Sequence, residues 1–113
     1  ASGHLTRDGE LIGTGYSGMG IYKNDPTAQD KHNEGPIPRG GYTIEAPQDT
    51  VSHGPYVLRL VPDPENDMEG RGGFLIHGDS KSNPGGASMG CIILPRATRE
   101  SVWNSGDNEL EVV

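Results

Sequence analysis

Eighteen glycines and nine prolines punctuate this chain, so its apolar residues survive only in short runs. Such spacing suits short strands joined by tight turns and leaves little room for a helix bundle. The runs are Tyr56-Val57-Leu58-Arg59-Leu60-Val61, Phe74-Leu75-Ile76 and Cys91-Ile92-Ile93-Leu94. They can build a small core, and with 113 residues a single domain over 1–113 is expected.

Residues 9–23 read as a hairpin or a pair of short strands, broken by Gly13, Gly15, Gly18 and Gly20. A polar loop over 24–35 leads to Pro36-Ile37-Pro38-Arg39-Gly40-Gly41, a rigid turn entering a strand at 42–45. Residues 55–61 read as a strand with Tyr56, Leu58 and Leu60 on one face. An acidic loop (62–70), a buried strand (73–77), a Gly/Ser/Asn loop (78–90) and another buried strand (91–94) follow. Helix signals occur only over 95–104, where Pro95 suits a first turn and Gly106 suits the exit. Residues 109–113 alternate as a final edge strand. The expected architecture is mainly β, a mixed sheet or β-sandwich with one short helix near the C-terminus.

The formal net charge of −7 argues against a nucleic-acid partner, which calls for clustered Lys and Arg. It also disfavours an anionic membrane surface. No apolar stretch approaches the roughly 20 residues of a membrane span. Ala1-Ser2-Gly3-His4 carries no basic-then-apolar leader, which fits a removed signal, export needing none, or an excised domain. A single cysteine rules out an intramolecular disulfide, so Cys91 is either a small buried hydrophobe or a reactive thiol.

Several motifs resemble sites without their context. Gly13-Thr14-Gly15-Tyr16-Ser17-Gly18 matches a dinucleotide fingerprint, but Asn24-Asp25-Pro26 interrupts any following helix. Gly86-Ala87-Ser88-Met89-Gly90 matches a hydrolase elbow, yet all four histidines (4, 32, 53, 77) precede Ser88, against that fold's order. Asp63, Glu65, Asp67 and Glu69 faintly resemble a calcium loop, but Pro64 and the missing downstream Glu weaken it. No two histidines have zinc-ligand spacing, so neither a metal nor another cofactor is expected. His4, His32 and His53 read as exposed loop residues, and Tyr42, Tyr56 and Trp103 as core or groove wall.

Chemistry concentrates in Phe74-Leu75-Ile76-His77-Gly78-Asp79 and Ser88-Met89-Gly90-Cys91-Ile92. A histidine ends one apolar strand and a cysteine begins another; neighbouring strands would bring both to one rim. A free thiol is mostly protonated at neutral pH, and an imidazole within reach supplies the missing base. Gly90 admits close approach to the backbone, and the amides of Gly90 and Cys91 are candidate oxyanion donors. Ser88 can hold the loop, while the Gly78 carbonyl, or Asp79, can fix the imidazole tautomer. On motif chemistry alone, a catalytic pair and a structural His and Cys both remain open.

Ile76-His77-Gly78 followed by Ser88-x-Gly90-Cys91-Ile92 resembles the signature of the YkuD-type L,D-transpeptidases. Gly35-Pro36-Ile37-Pro38-x-Gly40-x-Tyr42-x-Ile44 resembles that family's upstream segment. Gly15-Tyr16-Ser17-Gly18 and Ala97-Thr98-Arg99-Glu100 through Gly106-Asp107 are similar to L,D-transpeptidase-like effectors delivered by type VI secretion systems into competitor bacteria. The resemblance implies an L,D-transpeptidase-like fold and acyl transfer on peptidoglycan stem peptides. Cys91 would be the nucleophile, His77 the base and Gly78 its backbone orienter, with Ser88 and Gly90 shaping the site. Attack at the diamino acid of position three would expel terminal D-alanine. The thioester would pass to water, trimming the stem, or to an amine, giving exchange or a crosslink.

Two departures bear on this. Ile93 stands where many members have Arg, so carboxylate binding falls to Arg96 and Arg99, with Asp79 and Tyr16 also expected at the substrate. Met89 stands where many have His, leaving His77 as the nearby base. The resemblance further implies a secreted monomer acting in the periplasm of a target bacterium, with a cognate immunity protein as a partner. A sortase-like transpeptidase and a non-catalytic wall-binding module on the same fold are the alternatives.

Overall fold

Asp8 and Gly9 both take positive φ, 52° and 83°, the backbone of a type I′ turn, whose twist matches the strands it joins. They close a hairpin of β1 (His4–Arg7) and β2 (Glu10–Thr14). The hairpin starts earlier than the 9–23 span because its signal is the Asp-Gly pair, whereas the glycines that follow interrupt strands. This computed structural model describes residues 3–50, 53–80, 82, 86, 88 and 90–113.

The other strands are β3 (Tyr16–Ser17), β4 (Gly40–Ile44), β5 (Gln48–Thr50), β6 (Gly54–Pro62), β7 (Leu75–His77), β8 (Ile92–Ile93) and β9 (Glu109–Val112). They form a seven-stranded sheet in the order β3-β8-β7-β6-β4-β9, with β5 also paired to β6. β7 and β8 are parallel and the remaining pairs antiparallel. The mainly β architecture with a mixed sheet and one short α-helix is therefore the one that forms, and β9 lies at the sheet edge. Two 3-10 turns, at 20–22 and 26–28, give the expected polar loop some order.

β6 is the spine, because its first half meets β5 and β7 and its second half meets β4. Leu58 and Leu60 enter the core, joined by Ile37, Tyr42, Ile44, Phe74, Ile76 and Leu94. Burying such a side chain contributes about 1.5–3 kcal/mol, which is how a small cluster can hold so many turns. Tyr42 belongs wholly to this core, and its hydroxyl donates to the Pro38 carbonyl at 2.7 Å. That bond ties the proline turn to β4.

Helix α1 (Arg96–Asn104) starts directly after Pro95 and ends as the sequence implies. Gly106 adopts φ 75° and its amide reaches the Trp103 carbonyl at 3.3 Å, a left-handed exit that glycine makes without steric cost. Val102 and Trp103 pack against the core, while Arg99 is buried on the way to β6 and β8.

Candidate active site

Strand register sets the site. Tyr16 of β3 pairs with Ile93 of β8, which pairs with His77 of β7. Directly paired residues share a sheet face, so these three form one row. Ser17, Ile92 and Ile76 form the next row, on the other face. Cys91 sits at a bend immediately before β8, and its thiol accepts from the Leu75 amide of β7. His77 ends the same β7, which runs parallel to β8. The hydrogen bonds of the two groups go to Gly78 and to Leu75, not to each other.

His77 is 4 % exposed, and its Nδ1 lies 2.9 Å from the Gly78 carbonyl oxygen. A carbonyl can only accept, so Nδ1 carries the proton and Nε2 is the basic nitrogen. Burial pushes the His77 pKa below its ordinary value. The Gly78 hydrogen bond opposes that, His53 and Arg99 add to it, and Asp79 opposes it. Burial pushes the Cys91 thiol up, partly offset by a hydrogen bond from the Leu75 amide and by the Arg71 charge. The resting pair is a thiol and a neutral imidazole, so proton removal must accompany attack.

Ser88 organises the loop before Cys91. It is 0 % exposed. Its hydroxyl donates to the Cys91 carbonyl at 2.5 Å and accepts from the amides of Gly18 (2.9 Å) and Gly90 (3.1 Å). The Gly90 amide, one of two expected oxyanion donors, is thereby committed within the loop. Ser17 completes the brace, donating to the Gly90 carbonyl at 2.9 Å and accepting from the Ile37 amide at 2.8 Å. Gly90 has φ 133°, and a Cβ there would collide with Arg71 and Phe74. Met89 lies outside the described residues.

Three arginines lie in different surroundings around the site. Arg99 is 4 % exposed and donates to the carbonyls of Leu94 (2.6 Å), Tyr56 (3.1 Å) and Pro55 (3.5 Å). Its guanidinium lies against Gly78 and braces the protein through those three carbonyls. Arg96 is exposed, pairs with Glu100 at 3.0 Å and lies over the Tyr56 ring. Arg71 stands nearer Cys91. It donates to the carbonyls of Gln29, Gly35 and Pro36 and lies over the Phe74 ring, beside Gly90. Tyr16 and Asp79, both expected at the substrate, are joined by a 2.7 Å hydrogen bond, with Lys23 Nζ 4.4 Å above the tyrosine ring.

A family model described as the Tlde1 domain matches residues 12–112. The chain belongs to the Tlde1 domain family. This is a family of L,D-transpeptidase-like type VI secretion effectors. No curated protein and no solved structure matches the chain. The Tlde1 match begins within β2 and ends with β9, so it includes every residue of the site above.

Three residues around the candidate pair carry little sequence signal: Lys23, Arg71 and His53. They lie outside the His-Gly and Ser-x-Gly-Cys motifs, and only the fold gathers them. His53 is exposed, as a loop residue should be, yet its ring packs on His77 with centroids 4.7 Å apart. An apolar cavity on the other side of the sheet, bounded by Ile37, Ile76, Ile92 and Leu94 among others, is lined by neither Cys91 nor His77. Among the described residues, no three His, Cys, Asp or Glu gather as a metal site, and no helix is long and apolar enough to cross a membrane.

Proposed function

We propose that this Tlde1 domain is a cysteine acyl-transfer enzyme that modifies peptidoglycan stem tetrapeptides in the periplasm of a target bacterium. The reading extends its kinship to the YkuD-type L,D-transpeptidases. The observation that carries it is the contact of His77 Nδ1 with the Gly78 carbonyl. It leaves Nε2 of a buried imidazole at the end of β7 as the basic nitrogen, while the chain's one thiol stands just before the neighbouring β8 and against the Leu75 amide of β7.

The chemistry runs in balanced steps. Cys91 Sγ attacks the carbonyl of the diamino acid at stem position three while Nε2 of His77 takes the thiol proton. The tetrahedral oxyanion is met by the Cys91 amide, the expected donor that Ser88 does not occupy. Collapse breaks the peptide bond, and His77 returns its proton to the departing D-alanine amine. The Cys91 thioester then passes to water, leaving a tripeptide, or to the amine of a D-amino acid, exchanging the terminal residue. Lys23 and the Tyr16–Asp79 pair supply charge and hydrogen bonds around the substrate, and Arg71, whose hydrogen bonds go to backbone carbonyls, contributes its charge near Cys91. A cognate immunity protein would protect the producing cell.

Trapping the thioester tests this reading. Acid quenching after mixing with disaccharide-tetrapeptide should give protein heavier by one acyl group, released by hydroxylamine and absent in Cys91→Ala. An adduct that persists in Cys91→Ala, or a mass that never changes while product forms, contradicts the mechanism.

A further inference from the structure

His53 lies in the turn between β5 and β6, and no step of the proposed reaction uses it. Its ring nevertheless rests against His77, with centroids 4.7 Å apart and planes inclined at 51°. The turn that presents it is fastened: the His53 amide donates to Thr50 Oγ1 at 2.9 Å, and that hydroxyl donates to the Gly54 carbonyl at 3.1 Å. His53 is exposed whereas His77 is buried, so one imidazole stands between the other and solvent.

The other charged groups acting on His77 come from two elements: Arg99 approaches from α1 and Asp79 from the loop after β7. Arginine keeps its charge throughout the working range, and Asp79 is engaged by the Tyr16 hydroxyl. Histidine is the side chain whose charge changes in mild acid. A positive charge beside an imidazole opposes a proton on it.

We infer that His53 is a positioning residue for the base: its ring confines His77, and its protonation opposes a second proton there, keeping Nε2 available into mild acid. This rests on the reading of His77 as the base for Cys91. The effect lies in the acid limb of the rate profile, where a purely structural contact has no reason to act.

The test follows Cys91 alkylation by iodoacetamide and tetrapeptide trimming against pH, in the whole chain and in His53→Phe, His53→Ala and His77→Ala. Phenylalanine keeps the ring cover but takes no proton, and thermal melting verifies that each variant is folded. Two unit charges 4.7 Å apart repel in bulk water by the equivalent of ~0.6 pH unit, less in salt and more in a drier site. The acid limb should therefore move up by roughly half a pH unit in His53→Phe, and in the same direction in His53→Ala. An unmoved limb in folded His53→Phe, with or without a lower plateau, overturns the inference. If His77→Ala suppresses alkylation near neutral pH while both His53 variants keep the wild-type limb, the role of His53 fails alone. If His77→Ala leaves alkylation unchanged across the range, the base assignment fails and takes this inference with it.

Discussion

Burial drives the two reacting groups in opposite directions, holding the Cys91 thiol protonated and the His77 imidazole neutral. The signs carry into stability. A histidine depressed in the folded state is protonated first in the unfolded chain, so stability falls as pH drops from the ordinary histidine value through the folded one. A cysteine raised in the folded state holds its proton longer than the unfolded chain does, so stability also falls as pH rises past the ordinary cysteine value. Urea unfolding across pH should show both flanks, and His77→Gln should flatten the acid one. An acid flank that persists unchanged in that variant means other groups govern it. Ser88 offers a second test. Ser88→Ala would strand the buried amides of Gly18 and Gly90 and leave the Cys91 carbonyl without its donor. Each unsatisfied group costs about 1–3 kcal/mol, so a loss of at least ~2 kcal/mol is expected by urea titration, with slower trimming. Unchanged stability would show that the hydroxyl does not hold the loop.

At the scale of elements, legibility followed the length of each apolar run. β6, β7 and the strand at Cys91 were readable because their hydrophobic residues stand between turn signals, and α1 because Pro95 and Gly106 bracket it. β5 was not, since Gln48-Asp49-Thr50 offers no apolar alternation and exists by pairing with β6. Nor was the parallel pairing of β7 with β8, which strands of two or three residues cannot announce. The motif residues Cys91, His77, Gly78 and Ser88 lie in two short segments and could be found there, whereas Arg71 and His53 are joined to them only by the fold. Arg99 is a similar case: only the fold shows that α1 carries it to the carbonyl of Tyr56, whose φ of 55° is unusual for an aromatic residue. Arg99→Met should leave the carbonyls of Tyr56 and Leu94 without their donor and cost about 2–3 kcal/mol in urea unfolding. A neutral result would mean that the guanidinium is not a brace. Gly90→Ala should impair trimming more than stability, because the clash with Arg71 and Phe74 displaces the loop carrying Cys91; equal trimming by the variant would contradict that placement.

At the scale of the molecule, the Tlde1 domain has an acidic composition and a small core, with His77 at the end of β7 and Cys91 just before β8. Neither the Arg after the cysteine nor the His before it, common in the YkuD-type pattern, is present: Ile93 and Met89 stand there. Water and small D-amino acids should therefore compete well for the thioester, and crosslinked dimers should be minor products. The most direct measurement is mass analysis of purified disaccharide-tetrapeptide incubated with excess D-methionine and either the wild-type chain or folded Cys91→Ala. Tripeptide and D-methionine-exchanged tetrapeptide should form with the wild type and be absent with Cys91→Ala. Trimming or exchange at the wild-type rate by Cys91→Ala would contradict the account.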